Sequence, residues 1–121
     1  MTDHFNALGQ PIGAPLTITL PRPRPPRTAM QGQWCDVLPL DPEAHASALF
    51  HAYSADSEGR IWTYLPAGPF ADLAAYRAWM DATCLTDDPL FHTILVNGTP
   101  LGVASLMRID PAHGVIEVGN I

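Results

Sequence analysis

Apolar positions alternate with polar ones toward the end of the chain, and this pattern predicts a β-meander. The segments LFHTILV (90–96) and PLGVASLMRI (100–109) flank Asn97-Gly98, the residue pair best suited to a type I′ hairpin turn. Asp110-Pro111-Ala112-His113-Gly114 predicts a second reversal, after which VIEVGNI (115–121) begins a third strand. We therefore expect three consecutive antiparallel strands.

Two helices are predicted upstream of the meander, where apolar stripes have helical spacing. Asp41-Pro42 favours the start of the first helix, with Asp as N-cap and Pro at the first helical position. Asp72 predicts the N-cap of the second helix, which Asp87-Asp88-Pro89 ends. A short strand at 34–38, which stops at Pro39, precedes both helices. The stripes consist of Ala46, Leu49, Phe50 and Tyr53 in the first helix and of Leu73, Tyr76, Met80 and Cys84 in the second.

The order of these elements, a strand, two helices and a three-stranded antiparallel meander, predicts an α+β fold with the helices packed on one face of the sheet. We expect this domain to span residues 31–121. Residues 1–30 form a proline-rich N-terminal arm, in which PRPRPPR (21–27) predicts extended polyproline II. LTITL (16–20) alternates like a short strand that clips the arm onto the domain. The arm is interpreted as a stiff linker, although Pro-Arg segments also bind aromatic grooves or act as electrostatic tethers.

Composition narrows the function classes. A length of 121 residues, with 47% hydrophobic and 15% charged residues, is typical of a single folded domain. The net charge of -6, without any lysine, argues against nucleic acid as the main partner. It suits an amine-bearing ligand, although many domains are simply acidic. The two cysteines form no disulfide framework, and the sequence shows neither a signal peptide nor a membrane span, so we expect a cytoplasmic protein.

Sequence motifs for metal binding, nucleophilic catalysis and phosphate binding are absent. His45 and His51 share a helix but face different ways, so we expect no metal site. Ser105 lies in mid-strand without the strand-to-helix elbow of a nucleophile. Glu117, between β-branched residues, lies either at the solvent face or in a cleft. Gly119 would allow a ligand or another backbone to approach closely.

The segment RIWTYLPAGPF (60–70), called the aromatic loop below, is unusual for a connection. It contains three aromatic residues, two prolines and a glycine, whereas loops are usually polar because they run over the surface. We expect a helical turn around Trp62. The apolar side chains of this loop either cover the edge of the sheet or line a ligand pocket.

Three segments resemble the GCN5-related N-acetyltransferases, in particular the N-terminal half of the branch that includes ribosomal-protein acetyltransferases. They are GQWCDVLPLDPEAHASALFHAY (32–53), RIWTYLPAGPFADLAAYRAWM (60–80) and LGVASLMRIDPAHGVIEVGNI (101–121), of which the second is the most specific. The resemblance implies an enzyme that binds acetyl-CoA where the fourth strand splays from the fifth. Backbone groups of the fourth strand then align the thioester, and an amine attacks it directly.

The resemblance also implies roles for individual residues. VIEVGNI would be the fourth strand, with Glu117 as the catalytic base or a water-positioning carboxylate. The residues expected to contact acetyl-CoA are Gly119, Asn120 and Ile121. The residues expected to wall the pocket of the acceptor amine are Trp62, Tyr64 and Phe70. Pro66 and Pro69 would hold the shape of this pocket.

The chain stops at Ile121, before the loop and helix that hold the CoA pyrophosphate in this family. We therefore expect it to supply the acceptor-side half of an acetyl-CoA-dependent N-acetyltransferase, and to bind acetyl-CoA only weakly by itself. The alternative is a catalytically inactive, truncated half-domain that acts as an interaction or dimerisation module. Expected partners are an amine-bearing small molecule or a protein N-terminus. At the open sheet edge we expect a second copy of the chain or a C-terminal partner fragment.

Overall fold

The structure, a computed structural model, describes residues 2–121. The strands are β1 (His4–Phe5), β2 (Pro11–Ile12), β3 (Met30–Gln31), β4 (Asp36–Pro39), β5 (Leu90–Val96), β6 (Thr99–Asp110) and β7 (Val115–Gly119). The helices are α1 (Pro42–Tyr53) and α2 (Leu73–Thr83), with a single 3₁₀ turn at Arg60–Trp62 between them. Within residues 2–121, no helix is long and apolar enough to cross a membrane.

Strands β3 to β7 form one antiparallel sheet whose spatial order follows the chain. The predicted meander is therefore confirmed and is extended by two strands at its start. In the β5–β6 turn, Asn97 has a φ of 51° and Gly98 a φ of 79°, the two left-handed residues of a type I′ turn. The predicted reversal between Asp110 and Val115 is confirmed as well. β1 and β2 pair separately as a short hairpin.

The two aspartates predicted as N-caps act as such. Asp41 Oδ1 accepts a hydrogen bond from Glu43 N at 3.1 Å, and Pro42 is the first residue of α1. Asp72 Oδ1 accepts one from Ala75 N at 2.8 Å at the start of α2. Each cap satisfies a backbone N–H that has no partner inside its helix, which stabilises a helix start by about 1 kcal/mol.

Helices α1 and α2 pack against each other and on the sheet, as predicted, and their apolar stripes form the core. Leu49 and Met80 are fully buried, and burial of a side chain of this size stabilises a fold by about 1.5–3 kcal/mol. Leu73, at the start of α2, stays 37% exposed. The buried apolar core consists of Leu40, Ala46, Leu49, Tyr76, Met80, Cys84 and Phe91.

The predicted strand at residues 16–20 is wrong, because this segment pairs with no other strand within residues 2–121. Its alternating pattern is bounded by Pro15 and Pro21, which cannot donate backbone hydrogen bonds to a ladder. Residues 16–20 are also exposed along their whole length, so neither side of the alternation is buried. Alternation without a buried face does not specify a strand.

The Pro-Arg segment of the arm makes three hydrogen bonds with the domain, one from Arg22 and two from Arg27. Arg22 N donates to Pro111 O at 2.8 Å, in the turn between β6 and β7. Arg27 Nη2 donates to Thr86 O at 3.1 Å and to Asp87 Oδ1 at 3.0 Å, in the connection between α2 and β5. The arm therefore lies against two separate loops of the domain.

Candidate active site

A cavity of about 620 Å³, called the main cavity below, lies between the aromatic loop, both helices and the sheet. Tyr53, the last residue of α1, and Thr83, the last residue of α2, both line it. The last residue of each helix therefore contributes to the wall of this cavity. Its walls include Trp62, Trp79, Phe91, Met107, Asn120 and Ile121.

Trp62 stands at the centre of an aromatic wall. Its ring meets those of Tyr53, Phe70 and Trp79 edge to face, at centroid distances of 5.4, 5.5 and 6.5 Å. A Cβ on Gly68 would overlap the Trp62 indole, and the φ of 76° at Gly68 is one that side chains rarely adopt. The loop thus folds around the indole, and the predicted helical turn around Trp62 is confirmed as the 3₁₀ turn.

Hydrogen bonds fix the end of β7 at another side of the main cavity. Ser105 Oγ donates to Gly119 O at 3.0 Å, and Asn120 Nδ2 donates to Ser105 Oγ at 2.9 Å. Asn120 has a left-handed φ of 54°, which asparagine adopts more readily than most residues. The Met107 side chain packs so closely on Gly119 that a Cβ there would overlap its sulfur. Ser105 is thus a structural residue that anchors the strand end.

The structure brings three of the predicted site residues together, since Trp62, Asn120 and Ile121 all line the main cavity. Gly119 lies next to this group, beneath Met107. Tyr64 is outside it, because its side chain points away from the loop and the residue is 96% exposed.

Phe70 lies on the far side of the Trp62 ring, in a second cavity of about 320 Å³. Asp56 and Glu58 also line this smaller cavity. Pro66 lines the main cavity and Pro69 the smaller one, so the two prolines border different spaces. The aromatic loop therefore divides the two cavities, with the Trp62 ring shared between them.

Glu117 lies on β7 opposite Met107 of β6 and does not line the main cavity. Its Oε2 is 3.5 Å from Nε of Arg108, and its side chain is 49% exposed. The role of Glu117 as a base stays a prediction, because a proton could reach it from the cavity only through water or a movement of the side chain.

Sequence reasoning missed several lining residues, of which Trp79 and Thr83 carried a usable signal. Both lie on α2 at helical spacing from Tyr76, three and seven residues further along the chain. They therefore share the face of the helix that the apolar stripe predicted as buried. Met107 had no such signal, since its place in the wall depends on the pairing of β6 with β7.

The side chains that line the main cavity are neutral. Among residues 2–121, no Asp, Glu, Lys, Arg or His side chain lines it. Burial raises the pKa of the Tyr53 hydroxyl, which lines the cavity and so stays neutral. Burial likewise raises the pKa of the Cys84 thiol to about 12. No group of three or more His, Cys, Asp or Glu side chains in the described range could hold a metal ion. The cavity therefore suits uncharged groups.

No protein-family model matches the chain, and no curated protein matches it either. The chain is similar to a GCN5-related N-acetyltransferase from Brucella melitensis, whose crystal structure shares 38% identity at a TM-score of 0.81. This match covers 88% of the present chain and 49% of the other. The crystal structure of a probable acetyltransferase of the GNAT family from Chromobacterium violaceum shares 30% identity at a TM-score of 0.74.

The second match covers 93% of the present chain and 59% of the other, so the chain spans about half the length of these solved structures. The agreement extends over the helices and the antiparallel sheet, because it includes most of the described residues. Over most of its length, the structural neighbours of this chain are GCN5-related N-acetyltransferases.

Proposed function

We propose that the chain provides the acceptor side of an acetyl-CoA-dependent N-acetyltransferase, which transfers an acetyl group to an amine. The observation that carries this proposal is the main cavity. It opens beside the end of β7 and is closed by the aromatic wall, in a chain that is 38% identical to a GCN5-related N-acetyltransferase. Because the chain spans only 49% and 59% of its two neighbours, the activity of the whole protein is part of the proposal.

The reaction forms a bond between the amine nitrogen and the thioester carbonyl carbon. The carbon–sulfur bond breaks, the sulfur leaves as the thiol of CoA, and the amine loses a proton. The backbone at Gly119, Asn120 and Ile121 would align the acyl group, because this segment ends β7 at the cavity. Glu117 would take the proton through water, a base contribution that is typically about a hundredfold or more.

The electrostatics of the cavity favour the acceptor over the phosphates of the donor. Among residues 2–121, no Lys or Arg side chain that could pair with a phosphate lines the cavity. The N-terminal ends of both helices are capped by their own aspartates, Asp41 and Asp72. We therefore propose that the acyl end of the donor lies at the cavity and that its diphosphate is held outside this wall.

The sequence resemblance to the branch of ribosomal-protein acetyltransferases would make a protein N-terminus one source of the amine, and a small molecule would be the other. We place the protein in the cytoplasm, since Cys35 and Cys84 are both free thiols. A second candidate function, that of an interaction module without activity, is favoured by the outer edge of β7. Within residues 2–121, no strand pairs with this edge.

The experiment is an assay of the full chain with a panel of amines, at acetyl-CoA concentrations high enough to offset the weak donor binding that we expect of the chain by itself. We expect release of CoA thiol that depends on the amine, together with an acetylated product of the correct mass. The variant Trp62→Ala should lower this release, since it removes the wall of the cavity. Absence of any release that depends on the amine would favour the interaction module.

A further inference from the structure

We propose that the main cavity selects primary amines with one ammonium group and an aryl or branched alkyl substituent, and that the substituent occupies the cavity. The part of this proposal that concerns the reaction rests on the proposed function, whereas the part that concerns binding does not. A net charge of -6 would by itself suit a polyamine as well as a monoamine. The lining of the cavity decides between these two classes of acceptor.

The lining of the cavity carries the argument against polyamines. Among residues 2–121, no Asp or Glu side chain lines it, so a second ammonium group inside would have no side-chain counter-charge. An unpaired charge away from water is strongly disfavoured. The two acidic residues that precede the aromatic loop most closely, Asp56 and Glu58, line the smaller cavity instead.

Both of these carboxylates are also engaged. Asp56 Oδ2 accepts a hydrogen bond from Ile61 N at 3.0 Å, and Glu58 pairs with Arg60 at 2.6 Å. Asp56 therefore holds the backbone at the start of the aromatic loop, and Glu58 carries its charge in an exposed ion pair. The negative charge of the protein thus lies outside the main cavity.

The size and the walls of the cavity match an apolar substituent. Its volume of about 620 Å³ is typical of a small-molecule site and far exceeds the needs of an acetyl group. The rings of Trp62 and Trp79 meet at 84°, and those of Trp79 and Phe91 at 88°. Aromatic and branched groups gain both apolar burial and edge-to-face contact against such walls.

The amino group of the ligand can bind near the end of β7. Asn120 uses its Nδ2 to donate to Ser105 Oγ, while Oδ1 of the same amide makes no hydrogen bond within residues 2–121. This oxygen can accept a hydrogen bond from one amine N–H group. The apolar surroundings also favour the neutral amine, which is the form that attacks a carbonyl carbon.

Binding to the full chain tests the inference without any reaction. The probes are 2-phenylethylamine and 3-methylbutylamine, compared with butane-1,4-diamine and spermidine, by calorimetry and by the fluorescence of the indoles. We expect the two apolar monoamines to bind at least about tenfold more tightly than the diamine and spermidine. Equal binding of all four probes, or tighter binding of spermidine, would overturn the inference.

A charge placed in the cavity should reverse this preference. Thr83→Asp adds a carboxylate to the lining, whereas Ala82→Asp adds the same charge to the same turn of α2 at an exposed position outside it. We expect only Thr83→Asp to lower the ratio of 2-phenylethylamine to butane-1,4-diamine affinity, by about tenfold. If Thr83→Asp does not fold, as judged by circular dichroism, the ranking of the four probes on the unaltered chain decides.

Acetylation assays separate this inference from the proposed function. Apolar monoamines that bind but are not acetylated would support the inference and overturn the proposed function. Acetylation of spermidine in preference to 2-phenylethylamine would do the reverse. A peptide with phenylalanine at its N-terminus is compared with 2-phenylethylamine to distinguish a protein acceptor from a small molecule. Preferential acetylation of either one supports the inference.

Discussion

The carboxylate of Asp88 holds the backbone of Arg108, twenty residues further along the chain, in a left-handed conformation. Asp88 Oδ1 accepts from Arg108 N at 2.9 Å, and its Oδ2 accepts from Ile109 N at 3.0 Å. Arg108 has a φ of 49°, at the point where the pairing of β6 with β7 shifts register between Met107 and Asp110. The carboxylate thus stabilises the bulge next to the residue whose side chain lines the main cavity.

The first prediction is that Asp88→Ala lowers the free energy of unfolding by about 1–3 kcal/mol, because two backbone N–H groups lose a charged acceptor. Asp87→Ala is the matched control. It removes a neighbouring carboxylate that pairs with Arg27 at an exposed site, and should cost less than about 1 kcal/mol. Urea unfolding of both variants measures the difference, and equal costs would contradict a role for Asp88 in the bulge.

The sequence could predict a hydrogen bond only where the two bonded residues lie close together along the chain. Asp41 and Asp72 act on amides two or three residues away, and Asn97 acts within its own turn, so local pattern sufficed. The contact of Asp88 with Arg108 joins residues twenty positions apart. No local pattern distinguishes Asp88 from Asp87, since both stand in the same short acidic segment.

The candidate site shows the same limit. The family resemblance predicted that the aromatic loop walls a pocket, and Trp62 lines the main cavity, but the direction of each ring was set by tertiary packing. Tyr64 turned outward, and Phe70 turned to the smaller cavity. Asn120 and Ile121 reached the main cavity because the end of β7 is anchored through Ser105, which the sequence showed only as a mid-strand residue.

The second prediction concerns the packing of the aromatic loop. Gly68→Ala should destabilise the protein by more than Gly98→Ala, since only the former introduces a Cβ that overlaps the Trp62 ring. Both glycines have a positive φ, of 76° and 79°, so the backbone strain of about 1–2 kcal/mol is common to the two variants. The difference in unfolding free energy therefore isolates the steric contact. Equal losses would show that the loop relaxes around the new methyl group.

The third prediction is a loss of stability as the pH falls below the ordinary histidine range. His45 Nδ1 accepts from Asp41 N at 3.1 Å and lies 3.0 Å from Thr93 Oγ1. Burial lowers the pKa of His45 against the opposing effect of Asp41, and burial is also the main cause that lowers the pKa of His92, with the charge of Arg27 adding to it.

Below the unfolded pKa of 6.5, the unfolded chain binds protons that the folded chain does not. The contribution of the two histidines is therefore complete above this pH and declines as the pH falls toward their folded pKa values. Urea unfolding at pH 7 and at pH 5 should show lower stability at pH 5. His92→Leu should reduce the difference because it removes one of the two titrating groups, and within residues 2–121 His92 Nε2 has no hydrogen-bond partner to lose. Stability that is unchanged between the two pH values would contradict the prediction.

The fourth prediction tests Glu117 as a base. Glu117→Gln should lower turnover by about a hundredfold, most strongly at low pH where the amine is protonated. It should change the stability by less than about 1 kcal/mol, because its ion pair with Arg108 is exposed. Arg108→Gln breaks the same pair but keeps the carboxylate, so turnover should be preserved. Parallel losses in both variants would assign the effect to the ion pair instead.

The fifth prediction concerns the outer edge of β7, which no strand within residues 2–121 covers. Val115, Ile116 and Val118 are 53%, 47% and 60% exposed along this strand. Glu117 is the only charged residue of the strand, and no proline interrupts it. An open edge with exposed apolar residues offers its backbone N–H and C=O groups to another chain.

We therefore expect the chain to associate through β7, either with a second copy or with a strand from a C-terminal partner fragment. Val118→Lys places a charge on this edge strand and should shift light scattering toward the mass of one chain. Leu101→Lys is the control, because Leu101 is similarly exposed, at 49%, but lies near the β5–β6 turn at the start of β6. If association through apolar surface in general were responsible, both variants would dissociate alike. A single-chain mass for the unaltered protein at high concentration would rule out association between copies along β7.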